Sequence, residues 1–93
     1  MGGKRRKKAV ALKYDVQDIA PKVVAKGQGF IADKILEKAQ QQKLPIYKDE
    51  EVVEKLYNLE IQQYIPEDLY NIVAEILIFI GYLDKIAKNG TNG

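Results

Sequence analysis

Four groups of residues in this 93-residue sequence are of types that do chemistry. Carboxylates stand side by side at Asp49, Glu50 and Glu51, and again at Glu67 and Asp68. Adjacent carboxyl groups are the raw material of general acid–base catalysis. Gly27, Gln28 and Gly29 form a Gly-x-Gly turn, and such turns ahead of a helix present backbone N–H groups to anions. Lys4, Arg5, Arg6, Lys7 and Lys8 form an unbroken run of cations able to contact phosphates. Six tyrosines and two phenylalanines offer faces on which a base could stack.

The residue types that are missing narrow this chemistry. There is no histidine and no cysteine, so the commonest general base, the commonest zinc ligand, thiolate nucleophiles and disulfides are all excluded. Both carboxylate groups fall where helices are expected to begin, and the helix dipole accounts for acids there without catalysis. The glycine turn lacks the rest of a dinucleotide or phosphate-loop fingerprint. Neither Lys26 nor Lys34 holds the Gly-Lys-Ser/Thr position, so the turn reads as a tight strand-to-helix junction. Tyr47, Tyr57, Tyr64 and Tyr70 belong to different elements rather than to neighbouring strand positions, and read as edges of a small core. Glu75 reads as a solvated position with Asn71, Ile78 and Tyr82.

The elements that position these residues follow from periodicity. Ala9–Val16 alternates with period two and reads as a strand, its Val10, Leu12 and Tyr14 on one face. Pro21 breaks the chain, and Lys22–Lys26 is a second strand. After the glycine turn, Ile31, Ile35 and Leu36, with Ala32 and Ala39, recur at helical spacing. Leu44–Lys48 reads as a third strand. Asp49 is the expected N-cap of a helix whose inner face is Val52, Val53, Leu56 and Tyr57. Residues 61–66 read as a connection, and Pro66 fits the first turn of a last helix. That helix carries Leu69, Ile72, Val73, Ile76, Leu77, Ile80 and Leu83, a stripe broad enough to sit centrally or to face a partner. The expected fold is therefore α/β in the α+β sense. It is a small mixed three-stranded sheet covered by about three helices, in the order β-β-α-β-α-α, over residues 9–86. Residues 1–8 are expected to be a disordered basic arm and 87–93 a disordered tail.

The chain is one domain with a small core. Its formal charge of +2 is uneven: the run from Lys4 to Lys8 holds five positive charges, and everything after it sums to −3. The basic character therefore belongs to the arm. The longest uncharged apolar run, Ile76–Leu83, is far shorter than the roughly 20 residues of a membrane-spanning helix. The basic N-terminus is not followed by the apolar stretch of a signal peptide, so the expectation is a cytoplasmic protein.

Four stretches, AVALKYD, APKVVAKGQGFIADKILEKA, LPIYKDEEVVEKLY and IPEDLYNIVAEILIFIGYLDK, together resemble the cytoplasmic C-terminal domain of the FlhB/YscU family. These are the substrate-specificity switch proteins of flagellar and injectisome type III export. The resemblance runs over residues 9–85. Family members carry an Asn-Pro-Thr-His loop just before the first of these strands and cleave themselves between the Asn and the Pro. In register, that loop falls on Lys4, Arg5, Arg6 and Lys7, none of which matches, so the resemblance implies that self-cleavage does not occur there. It also implies a free-standing counterpart of the C-terminal cleavage fragment, with one sheet strand fewer than the full domain.

The function so implied is a non-catalytic interaction module of flagellar type III protein export, with no cofactor. It would bind export-apparatus proteins or export substrates, a truncated family relative among them, in the cytoplasm or at the periphery of the membrane export apparatus. The residues expected to carry binding are the arm (Lys4, Arg5, Arg6, Lys7, Lys8), the strand edge (Val10, Leu12, Tyr14) and the second-strand segment (Lys22, Lys26, Gln28, Phe30). The open first strand is expected to accept an extended segment. The alternative is a small nucleic-acid-associated protein that uses the basic arm without sequence specificity. An enzyme built on the Gly27–Gly29 turn ranks behind both.

Overall fold

The computed structural model describes residues 7–15 and 17–81. In chain order the elements are β1 (Lys8–Lys13), β2 (Lys22–Gln28), α1 (Phe30–Gln41), α2 (Glu50–Tyr57), a 3-10 turn (Glu67–Leu69) and α3 (Tyr70–Phe79). β1 and β2 pair antiparallel in a two-stranded sheet. Ala9 lies opposite Gly27, Ala11 opposite Ala25, and Leu12 opposite Val23, so Val24 is the extra residue of a bulge.

Strand alternation decides what covers each face. Ala9, Ala11, Ala25 and Gly27 share one face, which is almost bare of side-chain bulk, and α1 lies directly on it. Ala32 is fully buried there, and a Cβ added at Gly27 would collide with the Ile31 side chain. Val10 and Leu12 point to the other face. They pack against a core of Ala20, Leu56, Ile65, Leu69 and Val73, contributed by α2, α3 and the segments before them. The sheet is thus a middle layer, with α1 on one side and α2 and α3 on the other.

The expected third strand, Leu44–Lys48, is not formed. Residues 44–49 have no regular secondary structure, and the nearest backbone bond is the Leu44 N–H donating back to the Ala39 carbonyl at 2.9 Å. Pro45 has no N–H to give to a ladder. The segment must also cross from the α1 layer to the α2 layer, which takes it round the outer side of β1 rather than alongside it. The sheet is accordingly antiparallel and not mixed.

A pairing that the periodicity did not suggest covers the far edge of β2. Tyr64 bridges to Lys22. The Val23 N–H donates to Gln63 at 2.9 Å, Gln62 donates to Val23 at 2.6 Å, and Ile65 donates to Pro21 at 2.9 Å. The stretch expected only to connect two helices therefore closes one side of the sheet.

At the start of α2, the Asp49 carboxylate accepts the Val52 N–H at 3.2 Å, as the sequence suggested. Asp49→Ala is expected to cost about 1 kcal/mol, read as a fall of about 5 °C in Tm on thermal denaturation. Pro66 precedes the 3-10 turn rather than lying inside the first α-helical turn. α3 is buried on one side and exposed on the other. Val73 is buried in the core, yet Ile78 is 53% and Phe79 77% exposed. Phe79 meets Tyr47 edge-on, with ring centroids 5.6 Å apart. The expectations for Lys4–Arg6, Tyr82, Leu83 and residues 87–93 lie outside the described residues.

Candidate functional site

Among the described residues, those expected to bind partners do not form one site. Lys7 and Lys8 are neighbours on a strand, so their side chains leave on opposite faces and reach opposite layers. Lys7 Nζ lies 2.9 Å from Asp33 of α1, and Lys8 Nζ lies 2.8 Å from Glu54 of α2. Lys8 also sits over the Tyr57 ring at 5.1 Å. The foot of the basic run therefore ties both helical layers to the sheet. Lys4, Arg5 and Arg6 lie outside the described residues.

Val10 and Leu12 direct their side chains into the core and leave their backbone on the outer edge of β1. Lys22 lies over the Tyr64 ring at 5.6 Å. Lys26 Nζ donates to the carbonyls of Tyr57 at 3.0 Å and Leu59 at 2.7 Å, holding the end of α2. It is a structural cation. Gln28 is exposed at the end of β2. Phe30 is 71% exposed with Lys34 over its ring. Gly29, the N-cap of α1, has φ 59°, a region costly for any residue with a Cβ. Both glycines of the turn thus have structural reasons.

Tyr14 belongs elsewhere. It lines a cleft of about 180 Å³ with Ile19, Ala20 and Pro21 from the loop after β1, and with Tyr70, Ala74 and Leu77 from α3. The helix residues follow the i, i+4, i+7 spacing of one face. The walls are mainly apolar, and Ile19 at the rim is 82% exposed. Nothing in the sequence reading singled out this cleft. The available signal was an isoleucine next to Ala-Pro, where a turn would expose it, together with the broad stripe on the last helix.

A second hollow, of about 640 Å³, runs along the outer edge of β1 between α1, the 44–49 connection and the start of α2. Among the described residues no three acidic side chains come close enough to hold a metal ion. No helix there is long and apolar enough to cross a membrane. The hollow beside β1 has a mixed lining, with Leu44, Ile46 and Val53 beside the charged Lys48, Asp49, Glu50 and Glu54.

A family model described as the FlhB HrpN YscU SpaS Family matches residues 6–80. The chain is 48% identical over 84 residues to the uncharacterized protein YlqH of Bacillus subtilis, covering 89% of this chain and 90% of that protein. It is 43% identical over 84 residues to the flagellar biosynthetic protein FlhB of Buchnera aphidicola subsp. Schizaphis graminum, covering 88% of this chain but only 22% of that one. It thus spans about a fifth of the FlhB proteins it matches. The crystal structure of the mutated H265A EscU C-terminal domain superposes with a TM-score of 0.77 at 27% identity, over 81% of this chain and 93% of that one.

Proposed function

The chain belongs to the FlhB HrpN YscU SpaS family, and from that premise we propose that it is a non-catalytic interaction module of flagellar type III protein export. In this reading it is the equivalent of the C-terminal fragment of the export switch protein, works on the cytoplasmic side, and binds export substrates or export-apparatus components. The observation that carries the proposal is the cleft beside Pro21. Its volume suits one large apolar side chain. Its rim residue Ile19, left in water by the rest of the fold, gains burial only when something covers it. Covering a side chain of that size contributes about 1.5–3 kcal/mol, enough to change affinity by roughly ten- to a hundredfold.

Nucleic acid binding is not favoured by Lys7 and Lys8, the described part of the basic run, or by Lys26. Lys7 and Lys8 are engaged by Asp33 and Glu54, and Lys26 by two carbonyls.

The proposal is tested in cells whose FlhB lacks its C-terminal domain, by measuring flagellar proteins secreted into the medium while this chain is supplied separately. The wild-type chain is expected to raise secretion, and Ile19→Glu to reduce that gain by about tenfold or more. Because Ile19 is exposed, the variant should keep the wild-type Tm. Equal secretion with wild type and variant, or none with either, would count against the proposal.

A further inference from the structure

The basic run and the most exposed residues of α1 meet at one end of the sheet. The Gly29 N–H donates to the Lys7 carbonyl at 2.7 Å, and Lys7 Nζ lies 2.9 Å from Asp33 of α1. The root of the run is therefore fastened to the first turn of that helix. The same turn begins with two large apolar residues that the fold leaves in water: Phe30 is 71% exposed and Ile31 52%. Lys4, Arg5 and Arg6 directly precede Lys7. At roughly 3.5 Å per residue, no more than about 10 Å of chain separates them from it, a distance comparable to the Debye length of roughly 8–10 Å. Cations and exposed apolar side chains thus share one pole of the molecule.

The charges around this pole leave it positive. Asp33 is offset by Lys7, and Glu37 lies 3.8 Å from Lys34. Lys34 also sits over the Phe30 ring at 5.2 Å, and Lys38 follows in the last turn of α1. Glu50, Glu51 and Glu54 belong to α2, across the sheet from α1. Shape matters as well. Phe30 and Ile31 line neither the cleft at Ile19 nor the hollow beside β1; at this exposure they project from the surface. One face of the Phe30 ring is taken by Lys34, and Ile31 has no ring face to offer, so the pair is a poor platform for stacked bases.

We propose that this pole docks on an anionic lipid bilayer. Phe30 and Ile31 enter the boundary between headgroups and acyl chains, and the cations of the run face the lipid phosphates. Peripheral attachment of this kind needs two contributions, an inserted apolar group and a polybasic patch. Each cation near an anionic surface strengthens attachment roughly fivefold, so Lys4, Arg5 and Arg6 together contribute about a hundredfold. Burial of the Phe30 ring contributes about tenfold or more. Lys34 is placed to hold its ammonium among the headgroups while its stem lies along the ring. The surface shares no residue with the cleft at Ile19, so the secretion test can fail while this proposal stands, and the reverse.

The test is sedimentation of the full chain with vesicles of phosphatidylglycerol and phosphatidylcholine in equal parts, beside vesicles of phosphatidylcholine alone. The chain should sediment with the anionic vesicles and stay in solution with the neutral ones. Phe30→Ser, at an exposed position, should keep the wild-type Tm and weaken binding by about tenfold. Replacing Lys4, Arg5 and Arg6 together by serine should weaken it by about a hundredfold. Phe79→Ser is the control: Phe79 is 77% exposed but belongs to α3, and its loss should leave binding unchanged. The sequence has no tryptophan, so Phe30→Trp supplies a single reporter, whose emission should shift to the blue on anionic vesicles. Binding that survives Phe30→Ser in full would be adsorption by charge alone. An equal loss with Phe79→Ser would mean general apolar adhesion, and an unshifted emission would leave position 30 in water. A single-stranded oligonucleotide bound in dependence on Phe30, with no binding to vesicles, would assign the surface to nucleic acid. Each of these results overturns the proposal, as does equal sedimentation with both kinds of vesicle or with neither.

Discussion

Gly27→Ala is expected to lower Tm by roughly 10 °C, corresponding to about 2 kcal/mol in a domain of this size. The sign is what makes the experiment informative. Gly27 sits within β2 and is not one of the glycines with positive φ. At such a position alanine ordinarily stabilises, by reducing the freedom of the unfolded chain by about 0.4–1 kcal/mol. Here the added methyl would meet Ile31. Rotating the Ile31 side chain could move its Cγ2, but the Ile31 Cβ, only 2.7 Å away, moves only with the helix. The whole of α1 must then lift from the bare Ala-Gly face of the sheet. Gly27→Ala combined with Ile31→Ala should recover part of the loss, and the two effects should be non-additive. An unchanged or raised Tm in the single variant would show that α1 does not lie this close. Calorimetry on both variants decides it.

Lys26→Met should cost about 2–3 kcal/mol, a fall of roughly 10–20 °C in Tm. Methionine preserves the length and much of the apolar stem of lysine but donates no hydrogen bond. Tyr57 is the last residue of α2, where carbonyls have no partner within the helix. The Lys26 ammonium satisfies the Tyr57 carbonyl and, two residues on, that of Leu59. It also lies over the Tyr57 ring at 5.2 Å, and Lys8 lies over the same ring. Charge-assisted bonds are the stronger kind, and carbonyls at the negative end of a helix are natural acceptors for a cation. A residue that served only a partner would, on substitution, leave Tm unchanged and weaken binding. The structural role requires the opposite order: loss of Tm first, with binding affected only through folding. Thermal denaturation of Lys26→Met beside Lys26→Arg separates the two roles, because arginine keeps the charge and donors and should retain most of the stability.

These two residues show how far the sequence reading reached. The Gly-x-Gly turn was legible as a junction, but its two glycines act differently. Gly29 has the left-handed φ expected of such a turn, while Gly27 is needed for close approach by a residue on the following helix. Lys26 was legible only as one more cation near a candidate surface. Its partners lie 31 and 33 residues further along, and nothing in local spacing marks a bond of that range.

What the sequence alone determined is local and periodic. The two strands, the three helices, the Asp49 cap and the absence of histidine and cysteine chemistry all follow from residues within a turn or two of one another. Family membership was also legible, because it rests on several such stretches in fixed order. Tertiary structure decided the rest. A strand exists only if another backbone supplies its hydrogen bonds. The same extended propensity therefore left Leu44–Lys48 outside the sheet, while Gln62–Ile65, with no strand-like pattern, bonded to the edge of β2. It also decided the two surfaces. The cleft at Ile19 joins a loop after the first strand to the last helix, and the hollow beside β1 exists because α1 and α2 lie on opposite faces and the chain between them goes round. Both are made of residues distant in sequence, and their empty space is set by packing, which no short-range pattern encodes.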